Sequence, residues 1–367
     1  MNDVKKIVIT GGPCGGKSTA LDWINRYFTD IGYKVLFVPE SATELITGGV
    51  TPWGCKDALE YQTCQLYIQL EKEKVFERAA STMKTESGKV LIVCDRGVLD
   101  NKGFMTDDDF YKMVADIGKN EVELRDSYGA VFHLVTAAKG AEKFYTTANN
   151  PARTETPEQA AYFDERLLRA WTGHPHLRII DNSTDFETKM QRIIKEICVY
   201  LGEPEPTETE RRFLVEYPDV KYLESIDTCV RVEINQTYLI PEKEGVETRV
   251  RQRGINGNYV YFKTEKTKGA GVKREEKERS LKKEEYLELL MNADPERRPI
   301  RKTRYCIVYE NQYFELDVYP FWNDKAILEL ELSDENAEIK FPPFLKIIRE
   351  VTDEEEYRNS SLAKYKF

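Results

Sequence analysis

Gly11-Gly12-Pro13-Cys14-Gly15-Gly16-Lys17-Ser18 reads GxxxxGK[ST], and its two flanks decide how it folds. Before it, Lys6–Thr10 (KIVIT) is a short apolar run that ends in glycines. After it, Ser18–Ile31 places Leu21, Ile24, Phe28 and Ile31 at helical spacing, and Gly32 closes the helix. A strand, a glycine-rich turn and a helix in that order are what phosphate binding needs. Glycines let successive backbone N–H groups converge on phosphate oxygens, and the helix N-terminus adds a favourable field. Gly11 to Gly16, Lys17, Ser18 and Thr19 form the expected nucleotide-binding set, with ATP or GTP as ligand. Lys17 would reach the β- and γ-phosphates, and the Ser18 hydroxyl would ligate Mg²⁺. The bland alternative is a glycine-rich turn that binds nothing, and the two correct flanks argue against it.

Outward from this loop, strand-like and helix-like segments alternate. Lys34–Val38, Val90–Cys94, Ala130–Val135 and Arg178–Ile180 read as strands, and Ala58–Ala80 reads as a long helix. Continuous apolar runs such as Val90–Cys94 suit strands buried on both faces, so the pattern predicts a parallel sheet between helices, a three-layer α/β/α domain over residues 1–202. Asp95 follows Val90–Cys94, where a metal-holding carboxylate belongs; a plain turn aspartate is the alternative. Glu40 ends the run Val35–Glu40 on the crevice side, as an acceptor-facing acid or as an N-terminal acid favoured by the helix dipole. Thr156-Pro-Glu-Gln159 is a capping box, and the helix Pro157–Trp171 behind it puts Arg166 and Arg169 on one face, with Arg153 just before it. That face is either a basic lid or an ordinary solvated one that also carries Glu158, Asp164 and Glu165. Asp181-Asn182-Ser183 follows the last strand, where it would border the base.

Composition limits the rest. A chain of 367 residues exceeds a usual single core, so two domains are expected, and 41% apolar with 11% aromatic residues suffices to fill them. The net charge of −10 argues against a general nucleic-acid binder. No apolar run is long enough for a membrane span, and the first residues lead straight into a strand with no signal-peptide core. The seven cysteines are scattered without a CxxC pair, which suits a reducing cytoplasm, and three histidines leave little room for histidine-rich zinc chemistry.

Gly202–Thr207, with two prolines and a glycine, reads as the linker to a second domain, 203–367. Beyond it the period becomes two, over 230–234, 247–251, 258–264, 303–309, 313–319 and 325–332, with Gly254, Gly257 and Asn311 at turns and one helix, Leu281–Met291, after a Ser280 cap. Charge itself alternates: Glu208, Glu210 and Arg212; Arg249 and Arg251; Arg274, Glu276 and Glu278; Lys302 and Arg304; Asp317; Glu329 and Glu331. Spacing of two puts each set on one strand face. A solvated sheet face would tolerate this. A closed antiparallel barrel with its charges inward is the other reading, the basic rows binding polyphosphate and the acidic rows divalent cations, Mg²⁺ or Mn²⁺.

Family resemblances sharpen these readings. Asp95-Arg96 after an apolar strand resembles the DR signature of P-loop nucleoside and nucleotide kinases, which implies that Arg96 contacts the acceptor or its phosphates. Glu40 resembles the base of deoxynucleoside kinases, and the Arg153, Arg166 and Arg169 segment resembles their lid. Glu208-Thr-Glu210-Arg-Arg212, Gln236–Leu239, Glu247–Arg251, Thr264-Glu-Lys266, Lys302-Thr-Arg304, Glu315-Leu-Asp317 and Leu328–Leu332 resemble, in order, the strands of the CYTH or triphosphate tunnel family over about residues 205 to 345. That resemblance implies phosphate binding by Arg212, Arg249, Arg251, Lys266, Arg274, Lys302 and Arg304. It departs at Arg212, where the family usually has lysine; arginine binds phosphate as a planar fork but is no tunable amine. Residues 4 to 200 resemble the AAA-like P-loop ATPase/kinase domain related to the nicotinamide-riboside-kinase part of NadR, and the fusion resembles the TRPL-translocation-defect proteins, described as binding GTP and phosphatidic acid or phosphoinositides. The reading is an Mg²⁺-dependent NTPase or small-molecule kinase joined to a domain that binds a polyphosphate or other phosphorylated ligand. Its alternatives are a nucleotide-gated sensor of an anionic lipid head group and a metal-dependent triphosphatase in the tunnel.

Overall fold

Ile7, Val8, Ile9 and Thr10 are all buried, which makes β1 (Asp3–Thr10) the centre of the first sheet. The computed structural model describes residues 2–145, 155–203, 209–241, 243, 245–267, 276–332 and 337–364. The chain folds as two compact units, Met1–Pro204 and Glu205–Phe367. In the first, β2 (Lys34–Val38), β3 (Lys89–Asp95), β4 (Ala130–Leu134) and β5 (Leu177–Ile180) join β1 in the order β2-β3-β1-β4-β5, every neighbouring pair parallel.

Alternation along β1 sends its side chains to two helical layers. Ile7 and Ile9 pack with Leu91 and Val93 against Ile24 and Phe28 of α1 (Lys17–Asp30). Lys6 points the other way. It pairs with Glu73 (3.0 Å) and Glu77 (2.6 Å), both on the long α3 (Ala58–Thr82), which follows the short α2 (Ser41–Thr47). The short helices α4 (Asp107–Asp116) and α5 (Glu121–Arg125) and a 3₁₀ turn, Val98–Phe104, lead into β4; of the three only α4 carries helical periodicity, burying Phe110, Met113 and Val114. Two further helices, α6 (Pro157–Trp171) and α7 (Phe186–Leu201), flank β5, and Ile193 and Ile197 of α7 complete the core on the α1 side. The capping box at Thr156 and Gln159 is formed. Because the strands are parallel, Thr10, Val38, Asp95, Leu134 and Ile180 end at one edge of the sheet.

The second unit is antiparallel throughout. Its strands are β6 (Thr209–Glu216), β7 (Cys229–Leu239), β8 (Val246–Ile255), β9 (Asn258–Thr267), β10 (Glu276–Leu281), β11 (Ile300–Tyr309), β12 (Gln312–Val318), β13 (Lys325–Leu332) and β14 (Ile347–Glu350). They pair in the order β10-β9-β8-β7-β11-β12-β13-β6-β14. Among the described residues β10 and β14 remain the two edges, so the pairing shows a large antiparallel sheet and not a closed barrel. Asn256 and Gly257, both at positive φ, make the β8–β9 turn, and Glu310 and Asn311 do the same between β11 and β12. Gly254 lies inside β8 and not at a turn. The helix after β10 spans Lys283–Leu290, with Lys282 as its cap. Ser280 is not the cap because it pairs with Phe262 in the ladder.

One face of this sheet is apolar where β6, β11, β12 and β13 meet. Phe213, Val215, Tyr305, Ile307, Phe314, Leu316 and Leu328 cluster there, covered by Leu223 and Leu345. The polar positions of those same strands therefore point to the opposite face.

Candidate active sites

The phosphate loop leaves β1 and is wedged against the end of β4. A side chain at Gly11 (φ 133°) would fall on the Leu134 carbonyl oxygen, and a Cβ at Gly15 would come within 2.6 Å of it. Glycine is thus required by packing as well as by phosphate. Gly16 (φ 92°) and Cys14 (φ 58°) take left-handed backbone, and Gly16 caps α1 without a side-chain bond, leaving the first amides of the helix available. The Pro13 carbonyl accepts from the Thr136 hydroxyl. Lys17 Nζ donates to the carbonyl oxygens of Gly11 (3.0 Å) and Gly12 (3.2 Å). Burial and the neighbouring Arg96 bring its pKa down to about 8, while Glu40, Asp95 and Asp100 resist that fall. Ser18 and Thr19 are exposed at the start of α1.

Across the loop stand the ends of β2 and β3. Arg96 (φ 71°) donates from Nε to Glu40 Oε1 (2.5 Å) and from Nη1 to Asp100 Oδ2 (3.4 Å). Burial pushes Glu40 up, but Arg96 and Lys17 more than offset it and hold its carboxyl down to about 2, so it is ionised. Asp100 is fixed in turn by the Thr10 hydroxyl (2.7 Å) and by Trp171 Nε1 (2.6 Å). Asp95 differs: its buried Oδ1 has no hydrogen-bond partner among the described residues, and burial raises its pKa against the pull of Lys17. A buried, unpaired carboxylate oxygen near Lys17, with the Ser18 hydroxyl on the adjoining turn, is a donor set that suits a hard cation such as Mg²⁺.

Helix α6 meets the loop through a residue of the opposite charge to the expected lid. Asp164 Oδ1 accepts from the amides of Gly12 (2.9 Å) and Thr136 (3.2 Å) and lies 3.0 Å from His133 Nε2. Burial opposes its ionisation, yet His133, the Gly12 amide and Lys139 hold its pKa down to about 2. Arg166 instead donates to the carbonyls of Lys102 (3.3 Å) and Met105, and Arg169 pairs with Asp107 (3.5 Å), so both face the 3₁₀ turn and α4. Arg153 lies outside the described residues. Asn182 binds the Thr136 and Lys139 carbonyls (2.8 and 2.7 Å), while Asp181 is taken by Arg192 (2.7 Å).

In the second unit, residues opposite each other in an antiparallel ladder share a face. Arg304 lies opposite Asp317, Glu315 opposite Glu329, Glu329 opposite Arg212, and Glu331 opposite Glu210. Gln236 lies opposite Arg251, Arg249 and Glu278 each opposite Thr264, and Glu276 opposite Lys266. The charged residues found by spacing therefore share one face, and part of it is covered: Asp317, Lys302, Arg304 and Glu329 are at most 9% exposed, while Glu278 is exposed. Arg304 holds Asp317 with two bonds of 2.7 Å, reaches Glu329 (2.7 Å) and also binds Glu315. Lys302 binds Asp317. Arg212 binds Glu210 (2.8 Å) and approaches Glu329 (3.6 Å), and Arg251 binds Glu278 (3.0 Å). Burial and Asp317 push the Glu329 carboxyl up, against the pull of Lys302 and Arg304.

Acids and bases thus meet across strands at Arg304 and Asp317 and at Arg212 and Glu329, while Glu315 lies opposite Glu329 and Glu331 opposite Glu210, acid beside acid. Among the described residues no three His, Cys, Asp or Glu side chains converge as a metal cage. Glu208 and Arg274 lie outside the described residues, and of Glu276 only its place in the ladder is described. Among the described residues, the buried donors Arg212 Nη1 and Arg251 Nε have no hydrogen-bond partner and suit an anion.

A family profile described as an AAA domain matches residues 6–189, half of the chain, running from β1 into α7. The chain belongs to the AAA-domain family. The second unit of this AAA-domain protein has its own relative. Over 160 residues it is 34% identical to an inorganic triphosphatase of Nitrosomonas europaea, covering 43% of this chain and 97% of that protein, and so belongs with that CYTH-type family as well. A crystal structure of an inorganic triphosphatase is 30% identical, covering 43% of this chain and 94% of that chain, with a TM-score of 0.31. No helix among the described residues is long and apolar enough to cross a membrane.

Sequence reasoning missed Asp164, Asp100 and Glu315. Glu315 opens the Glu315-Leu-Asp317 stretch without a role assigned to it, and Asp100 stands within a few residues of Asp95 and Arg96 with nothing local to mark it. In sequence, Asp164 is one of several acids on what reads as a solvated helix.

Proposed function

We propose that the AAA-domain unit binds ATP or GTP with Mg²⁺ and transfers the γ-phosphoryl group, as an NTPase or a small-molecule kinase. The observation that carries this reading is the meeting, at one sheet edge, of the phosphate loop, the unpaired Asp95 oxygen and the ionised Glu40 held by Arg96. The loop amides and Lys17 would take the phosphate oxygens, and Ser18 and Asp95 would hold Mg²⁺, which supplies neutralising charge to the β- and γ-phosphates. Glu40 would orient the acceptor hydroxyl and receive its proton. Arg96 would keep Glu40 ionised and face the transferring group. Arg166 and Arg169 are read as ties that fix α6, leaving Arg153 as the proposed lid arginine. A cytoplasmic setting suits seven cysteines among which no disulfide forms. The test is NTP turnover: Lys17→Ala and Asp95→Asn should each lower it by about a hundredfold or more, and wild-type turnover in both would reject the assignment.

A second reading rests on the partly covered charged face and on the triphosphatase relative. The second unit would bind a linear triphosphate or other phosphorylated ligand through Arg212, Arg249, Arg251, Lys266, Lys302 and Arg304, its strands closing around it as a tunnel. Glu210, Glu329 and Glu331 would hold Mg²⁺ or Mn²⁺ once the anion has displaced their arginines. Phosphate release from tripolyphosphate that persists in Lys17→Ala and stops in Glu331→Gln would support hydrolysis there. No release with either metal would leave binding alone.

A further inference from the structure

Glu40 and Arg96 follow different strands, so the bond between them needs both stretches of backbone held. Arg96 is a non-glycine residue in left-handed backbone (φ 71°), a conformation that persists only where its surroundings fix it. Its amide donates to the Ile9 carbonyl (3.0 Å), and its own carbonyl accepts from Gln69 Nε2 (3.3 Å). Gln69 lies on α3 and is buried. Its amide oxygen accepts from the hydroxyl of Ser41, the first residue of α2 and the neighbour of Glu40. One turn along α3, Lys72 Nζ donates to the carbonyl of Pro39, on the other side of Glu40 (2.5 Å). Helix α3 thus grips the chain before and after Glu40, and through Gln69 it also grips Arg96.

The Gln69 amide can sit only one way round. Its Nε2 faces the Arg96 carbonyl and Glu73 Oε1 (2.7 Å), a carbonyl and an ion-paired carboxylate, which only accept. Glu73 is anchored in turn by Lys6 of β1 (3.0 Å) and by the Tyr128 hydroxyl (2.7 Å). That hydroxyl also accepts from the amide of Val98 (3.0 Å), two residues past Arg96. We propose that Gln69 is a positioning residue of the first unit's site, which ties the turn after β2 to the turn after β3 and so sets Glu40 and Arg96 in register for phosphoryl transfer. This rests on the phosphotransferase reading. Without Gln69 the Arg96 carbonyl loses its donor and the Ser41 hydroxyl its acceptor, and the two turns are free to shift apart. A displacement of about 1 Å at a reacting site is enough to slow a reaction about a hundredfold. The nucleotide's own holds, the loop amides and Lys17, belong to the turn after β1 and the start of α1, so binding and turnover should part.

The experiment uses the full chain, with Mg·ATP and Mg·GTP as probes. Gln69→Met keeps the side chain's bulk and removes its bonds to Ser41, Glu73 and Arg96, while Glu73 keeps Lys6 and Tyr128. Ser41→Ala removes the tie to α2 alone and serves where the first variant does not fold. Gln69→Met should lower kcat about ten- to a hundredfold and leave the nucleotide KM within about twofold of wild type. Its crystal structure should show Arg96 Nε out of hydrogen-bond reach of Glu40. Ser41→Ala should move kcat in the same direction by less. The inference is overturned if the folded variants keep the wild-type kcat, if the nucleotide KM rises as far as kcat falls, or if the bond between Glu40 and Arg96 survives in the Gln69→Met structure. NTP affinity left unchanged by Lys17→Ala would instead overturn the phosphotransferase reading.

Discussion

At the scale of single residues, the side chains proposed to take the phosphates are legible and those that hold the loop are not. Lys17 and Ser18 sit in a fixed motif, and Asp95, Arg96 and Glu40 stand where apolar strands end, so spacing finds them. Asp164 reaches the Gly12 amide from 152 positions away, and only tertiary packing makes that contact. Its worth can be measured through pH. The folded-state pKa is depressed from 3.8 to about 2, so the carboxylate contributes stability that is complete above the unfolded value and is lost as pH falls through the folded one. Between about pH 4 and pH 2 the first unit should lose roughly 2–3 kcal/mol on this account. Asp164→Asn should lack that step in an acid-unfolding series and be less stable at neutral pH. An unchanged acid profile in the variant would show that the contact contributes nothing.

At the scale of elements, period and face were legible and pairing was not. Alternating charge along 247–251, 302–304 and 329–331 correctly implied one charged face per strand, because the side-chain period of a strand is two. It could not show that Arg304 would sit among Glu315, Asp317 and Glu329, since register between strands is set by turns and by the apolar side of the sheet. Short helices such as α2 and α5 escape periodicity for want of length. The cross-strand network has a testable consequence. Arg304→Met would remove one cation from Glu315, Asp317 and Glu329, leaving Asp317 with Lys302 alone, and breaking a buried pair from one side costs about 3–5 kcal/mol. Urea unfolding of the second unit should shift by that order while that of the first does not; a shift under about 1 kcal/mol would mean that water already screens the cluster.

At the scale of the whole molecule, two cores of different construction each carry a candidate phosphate site. One is built on parallel strands around Ile7, Phe28 and Leu91, and the other on antiparallel strands around Phe213, Phe314 and Leu328. The period changes near residue 202, and the chain forms two compact units, Met1–Pro204 and Glu205–Phe367. The central claim is that the sites bind their anions separately. Calorimetric titration of Lys17→Ala with Mg·ATP, Mg·GTP and Mg-tripolyphosphate tests it most directly. The expected result is loss of nucleotide binding with tripolyphosphate binding retained at wild-type affinity. Undiminished nucleotide binding, or loss of both ligands together, would contradict it.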